Sequence, residues 1–267
     1  MDKLLFFDQG LVKPSENFSP FALTDVLTAF AGDQKQPIIH FWQLDKTLIL
    51  GMKDSRVPFL ADGLKSIQQT DYQALLRNAG GLGVISDLGI LNVSLILPKG
   101  DLSIDQGYQK MIAWLEQTMI AKQPLISGEV TDSYCPGKFD LSLAGKKIAG
   151  IAQRRVKDGV AIMMYLSVNG KQFERGEIVR DFYLAGLKKD FGEHGYPPVN
   201  PNSMTTLADA YQTNLSVEEI KADLIAPLSI DHQTDFLENF YHTEDYRKRI
   251  DSMIQRNQLL TEVTHEN

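Results

Sequence analysis

The chain contains a single cysteine, Cys135, within the segment SYCPGKFDLSLAGKKIAGIAQRR, Ser133 to Arg155. Tyr134, Pro136 and Gly137 give it a loop context, and the pair Lys146 and Lys147 falls in what reads as the next hairpin. The thiolate is the nucleophilic form of sulfur and a neighbouring ammonium favours it, so this pairing suits covalent acyl chemistry. The residue type alone also suits a small buried core position, because free cysteine packs like an apolar side chain.

A second stretch with chemical potential is RNAGGLGVISDLGILN, Arg77 to Asn92. Gly80, Gly81, Gly83 and Gly89 permit positive φ and let backbone amides approach a ligand, which points to binding of an anion or a carbonyl. Its spacing matches neither a dinucleotide fingerprint nor a phosphate loop, so tight turns in a β-meander fit equally. Arg77 has the fork to hold a carboxylate or phosphate, or to close a sheet edge. The interval Lys138 to Lys157 sets Lys138, Lys146, Lys147, Arg154, Arg155 and Lys157 against Asp140 alone. Arg154 and Arg155 could steer a docking partner or protect a strand edge.

These residues need a scaffold. Leu4 to Phe7 reads as a strand, and Ser19 with Pro20 opens a helix with Leu23, Val26, Leu27 and Phe30 on one face. Ile38 to Leu44 and Thr47 to Leu50 read as two strands joined by Asp45 and Lys46, with Gly51 at a close approach. Val93 to Leu97 continues as a strand, and Ser103 to Ala121 has helical spacing. Phe139 to Leu143, Ile148 to Arg155 and Val160 to Val168 form a three-stranded antiparallel unit carrying Cys135 and Lys147. Arg180 to Lys189 and Ser203 to Tyr211 are further helical segments, and Ser216 with Glu219 makes a capping box toward Ile225. Phe236 to Leu260 reads as a helical appendage, followed by a fraying end.

At 267 residues, 43% hydrophobic and 23% charged, the chain has ample material for a core. A net charge of -7, with no basic tail, argues against nucleic acid as the main partner. The five histidines are scattered, so no metal site is expected. No apolar run has the length of a signal peptide or membrane span, and a soluble cytoplasmic protein is expected.

Taken together, RNAGGLGVISDLGILNVSLI and the cysteine segment resemble the catalytic fold of the biotin and lipoate protein ligases. Members carry an arginine-led glycine loop, an Asp-x-Gly-x-Leu-Asn turn and a Lys-x-x-Gly motif. Arg77, Gly80, Gly81, Gly83, Asp87, Gly89, Leu91 and Asn92 match the first two, and Lys147 and Gly150 the third. The resemblance covers Ile38 to Leu224. Asn78 stands where the ligases usually have a second arginine, and Ser86 where they have a histidine. RNAGGLGVISD with SYCPGKFDLS looks most like the octanoyl amidotransferase branch of Gram-positive bacteria.

The resemblance implies an α/β (α+β) fold with a mixed, largely antiparallel sheet flanked by helices. With the shift to charged and aromatic residues after Pro227, a catalytic domain over residues 1–225, its core at 38–224, and a helical appendage over 226–267 are expected. The implied activity is octanoyl transfer in lipoate assembly without ATP or metal, from the glycine cleavage H protein to lipoyl domains of 2-oxo-acid dehydrogenase E2 subunits. Cys135 would carry the acyl group as a thioester. Lys147 would hold the thiolate and donate to the acyl oxygen, while Lys146 faces solvent. Arg77, Gly80, Gly81, Gly83, Asp87, Asn92 and Gly150 would bind substrate. An ATP-dependent lipoate-protein ligase, an octanoyltransferase using octanoyl-acyl carrier protein and a non-catalytic acyl-protein binder remain alternatives.

Overall fold

The structure is a computed structural model that describes residues 3–231 and 238–265. Its strands are β1 (Leu4–Val12), β2 (Ile38–Leu44), β3 (Thr47–Leu50), β4 (Gln73–Leu76), β5 (Val84–Ser86), β6 (Ile90–Pro98), β7 (Ile126–Ser127), β8 (Leu141–Leu143), β9 (Lys146–Val156), β10 (Gly159–Ser167) and β11 (Ile230–Asp231). The helices are α1 (Ser19–Gln34), α2 (Leu60–Gln68), α3 (Ile104–Leu115), α4 (Gln172–Leu187), α5 (Leu207–Tyr211), α6 (Val217–Ile225) and α7 (Glu244–His265).

Among the described residues the large sheet runs β11-β1-β2-β6-β10-β9-β8-β7, and a small one runs β4-β3-β5. β1 lies parallel to β11 and β2, and the ladder from β2 to β7 is antiparallel. The mixed, mostly antiparallel sheet is therefore as expected. Both sequence-predicted strands at 38–50 form, but not as a hairpin: β2 enters the large sheet and β3 the small one. Every residue of both is buried. Strands apolar on both faces need cover on both sides, which two layers supply.

Three helical boundaries also move. The segment from Ser103 ends as an α-helix at Leu115 and resumes as a 3-10 turn at Met119–Ala121, capped by Thr118. α4 begins at Gln172, well before Arg180, and packs closely enough that a Cβ at Gly176 would lie 2.8 Å from Pro201. The candidate helix at Ser203 shortens to α5, because Met204 bridges to Lys147 and the Thr205 N–H donates to the Lys147 carbonyl at 2.9 Å. The Ser216–Glu219 capping box forms.

α7 lies against α1, α2 and β4. Its Met253 and Leu260 are buried, and the Asn257 side chain bonds both the N–H and the carbonyl of Leu76. Residues 232–237, inside the segment expected to be helical, and 266–267 lie outside the described residues.

Candidate active site

Cys135 sits in the connection between β7 and β8, with a half-buried thiol and φ of +46°. A left-handed cysteine is unusual for an L-residue and persists only where its surroundings impose it. They do so here. Tyr134 is fully buried, and its hydroxyl accepts from Gln172 Nε2 at 3.0 Å. The Asp140 carboxylate accepts from the Gly137 N–H at 3.0 Å and the Val130 N–H at 3.3 Å, pinching the loop closed.

Lys147 lies beneath this loop with its side chain out of solvent. Its Nζ donates to Ser133 Oγ at 3.1 Å and to the carbonyls of Tyr134 and Cys135, both at 2.9 Å, and pairs with Asp140 Oδ1 at 3.0 Å. Burial pushes the Asp140 carboxyl up, against the pull of Lys147 and the two amides. The register separates the two lysines as expected, with Lys146 exposed and Lys147 1% exposed. The ammonium is not, however, free to donate to an acyl oxygen. Three protons already serve four oxygens, so Lys147 fixes the backbone on either side of the sulfur.

The Lys-x-x-Gly spacing has a steric cause. A Cβ on Gly150 would fall 2.6 Å from Tyr165 Cε1 and 3.5 Å from Lys147 Cε. Only glycine lets the lysine stem and the tyrosine ring share that space.

The glycine loop faces the cysteine. Leu82 N–H donates to Cys135 Sγ at 3.4 Å, which fixes the sulfur against the loop backbone. Arg77 closes the loop on itself, donating to the Gly80 carbonyl at 2.8 Å and the Leu82 carbonyl at 3.2 Å. Gly81 takes φ of +86°, and a Cβ there would meet the Arg77 guanidinium at 2.6 Å.

Between loop and sheet lies a cavity of about 310 Å³, with Phe21, Trp42, Ile49, Val84, Val93 and Met163 among its walls. Cys135, Arg77, Gly80, Gly81, Asn92, Gly150 and Arg154 also line it. Gly83 and Asp87 do not. The Gly83 N–H turns away to the Tyr183 hydroxyl at 3.0 Å. Asp87 forms a two-point ion pair with Arg175 at 2.7 and 2.6 Å and accepts from Tyr72, a structural knot beneath the turn into β6. Asn92 donates to Ser86 Oγ at 3.1 Å.

The two expected docking arginines differ. Arg154 pairs with Asp25 of α1 and donates to the Asn78 carbonyl at 2.9 Å, so it is a wall residue. Arg155 is exposed and donates to the Leu102 carbonyl at 2.9 Å. Sequence reasoning missed Asp25, which is 1% exposed and also receives Asn78 Nδ2 at 3.0 Å and Arg249 of α7 at 2.8 Å. A lone carboxylate inside the apolar run of α1 was its available signal. Tyr165 had no signal beyond a tyrosine in a strand.

A cysteine thiol lining an apolar cavity, with a buried lysine and a glycine loop beside it, is an arrangement suited to handling an acyl group. The chain matches the lipoyl protein ligase A/B catalytic domain over residues 16–229 and belongs to that family. It is similar to the octanoyl-[GcvH]:protein N-octanoyltransferase of Oceanobacillus iheyensis, 36% identical over 252 residues, covering 92% of this chain and 90% of the relative. The lipoyl-[GcvH]:protein N-lipoyltransferase of Listeria monocytogenes is 37% identical over 217 residues, covering 79% and 78%. In fold it is like a lipoate-protein ligase A crystallised with ATP, with a TM-score of 0.63, 20% identity and coverage of 91% and 97%.

Proposed function

We propose that this protein is an acyltransferase of protein lipoylation. It moves an octanoyl group from a lysine of GcvH, through a Cys135 thioester, to a lysine of an E2 lipoyl domain. The observation that carries this reading is the placement of Cys135 Sγ beside the apolar cavity and 3.4 Å from the Leu82 amide. Sequence relatives that cover most of the chain and are named as GcvH-dependent octanoyl- or lipoyltransferases support it.

The Cys135 sulfur attacks the octanoyl-lysine carbonyl, the S–C bond forms and the C–N bond breaks. The leaving amine takes up the proton that the thiol gives up. A lysine amine of the acceptor then attacks the thioester and releases the thiol. One amide replaces another, so the exchange is close to isoergic and proceeds without ATP or metal. The thioester is the less stable partner and needs support. Each methylene held in the cavity contributes about 0.8 kcal/mol, so an octanoyl chain can offset several kcal/mol. Water kept from the cavity cannot hydrolyse the thioester. Lys147 acts through the backbone, setting the height and direction of Sγ. Arg155 and the exposed Lys146 stand outside the cavity as candidates for meeting an acidic domain. No helix among the described residues is long and apolar enough to cross a membrane.

Intact mass of wild type and Cys135→Ser, each mixed with octanoylated GcvH without ATP, tests the proposal. An octanoyl adduct on wild type that thiols remove, absent from the variant, is expected. An adduct formed only from octanoyl-acyl carrier protein would change the donor. Acylation of a lipoyl domain only with ATP and free fatty acid would overturn the amidotransfer.

A further inference from the structure

Successive amides of the glycine loop point in opposite directions. Leu82 N–H reaches Cys135 Sγ, while Gly83 N–H donates to the Tyr183 hydroxyl at 3.0 Å. That hydroxyl donates to Asp54 Oδ1 at 2.8 Å, and Asp54 Oδ2 accepts the Gly51 N–H at 2.8 Å. Asp54 and Tyr183 are both fully buried. Gly51 packs so closely beneath the loop that a Cβ on it would lie 2.0 Å from the Gly81 carbonyl oxygen. We propose that Asp54 and Tyr183 are positioning residues for acyl transfer, holding the Gly81–Gly83 backbone where the Leu82 amide meets the Cys135 sulfur. This rests on Cys135 being the acyl carrier.

The chain of donors has one direction. With Gly51 N–H and Tyr183 O–H both aimed at it, Asp54 fits as a carboxylate, which only accepts. Protonated, it would turn a donor toward Tyr183, whose oxygen already takes the Gly83 N–H, and the hydroxyl hydrogen would need another acceptor. Gly83 would then lose its fixed anchor. Burial raises Asp54 to about 6, opposed by the Gly51 amide, Tyr183, Arg77 and Lys53. Tyr196, raised by its own burial, lies nearby with Arg56. Arg77 is already committed to the loop carbonyls, and Lys53 to the carbonyls of His194 and Gly195. At neutral pH the carboxylate therefore prevails.

A residue kept only for stability would not be built this way. The folded value of Asp54 lies above its ordinary 3.8, so its contribution to stability is present below that value and lost as pH rises through about 6. Asp54→Asn keeps the shape and removes a buried charge. Near neutral pH its melting temperature should match or exceed that of wild type, while transfer falls.

The test uses full-length wild type, Asp54→Asn and Tyr183→Phe between about pH 5 and 8. Three quantities are followed: melting temperature, the rate at which iodoacetamide alkylates Cys135, and kcat and KM for octanoyl-GcvH. A displaced rather than deleted donor predicts that kcat and alkylation fall about tenfold in both variants, with KM changed less than about twofold. The rate loss of wild type below about pH 6 should flatten in Asp54→Asn. Rates within about twofold of wild type in folded variants, or losses that only track the unfolded fraction, would overturn the inference. If Asp54→Asn fails to fold, the stability argument is wrong and Tyr183→Phe alone decides the positioning role. Slower alkylation in the variants with no octanoyl adduct on any of the proteins would sink the thioester reading and leave the positioning of the sulfur intact. Equal adduct formation by all three would do the reverse.

Discussion

Removing the Lys147 ammonium tests the loop architecture most directly. In Lys147→Met the stem volume is nearly kept, but Asp140, 1% exposed, loses its cation, and Ser133 Oγ and two carbonyls lose a donor. Breaking a buried ion pair from one side costs about 3–5 kcal/mol. Asp140 keeps the Gly137 and Val130 amides, so the lower end, about 3 kcal/mol, applies here. That leaves a protein of ordinary stability folded. Chemical denaturation reads the loss, and a mass time course with octanoyl-GcvH reads its effect on the site. Acyl-enzyme formation should drop about 100-fold, since the sulfur loses its fixed height. The pH dependence has a definite sign. Burial already raises Asp140, and without Lys147 it rises further, so stability from this group is lost as pH increases through the folded value. The stability deficit should therefore shrink as pH falls from neutral. Lys146→Ala, on the exposed side of β9, should stay within about 0.5 kcal/mol of wild type and acylate normally. A deficit below about 1 kcal/mol in Lys147→Met, or equal losses at both lysines, would refute the assignment.

Gly150→Ala should be destabilised by about 1–3 kcal/mol in denaturation and acylate slowly, because its Cβ enters the Tyr165 ring, 2.6 Å away. Arg249→Ala removes one of the donors to Asp25 and should lower stability by about 1 kcal/mol, with hydrogen exchange quickening in α7 before β10. His40, buried between Thr24 and Gln9, has its pKa lowered from 6.5 to about 3 by that burial. Only the unfolded chain takes up its proton below the ordinary value. Stability should therefore fall by about 1.4 kcal/mol per pH unit as pH drops from 6.5 toward 3, a slope that His40→Asn would reduce in acid denaturation.

Much of the fold was legible because its strands announce themselves. β2, β3 and the β9–β10 pair carry β-branched and aromatic runs bounded by turn residues, and their limits were read closely from composition. Sheet membership was not legible, since an Asp45–Lys46 turn is compatible with a hairpin and with a step between layers, and burial on both faces decided for the step. At the site, residues with a distinctive type and spacing were found: Cys135, Lys147, Gly81 and Gly150. Roles were harder. Arg77, open in the sequence to a ligand or to a sheet edge, lines the cavity while its fork closes the glycine loop. Asp87, expected from the resemblance to bind substrate, pairs with Arg175 outside the cavity. A fork or a carboxylate near a loop of bare amides and carbonyls finds its partners there first. Asp25, Asp54 and Tyr183 carry no local pattern. Their function comes from residues 53 to 224 positions away, which no window on the sequence brings together.

These hidden residues follow from the chemistry the cavity has to support. Where an apolar cavity keeps water scarce, the polar groups of the surrounding loops must be satisfied by protein. Among the described residues no buried side-chain nitrogen or oxygen lacks a partner. Three carboxylates do this work around one cavity: Asp140 under the cysteine loop, Asp54 under the glycine loop and Asp25 at the wall shared by Asn78, Arg154 and α7. Each is at most 1% exposed and each draws donors from more than one segment. Neutral partners could fill single hydrogen bonds, but a carboxylate accepts several at once and gathers segments distant in sequence. Replacing any one with an apolar residue should therefore loosen the loop it holds rather than the whole sheet, and the loss of acyl transfer should exceed the loss of stability.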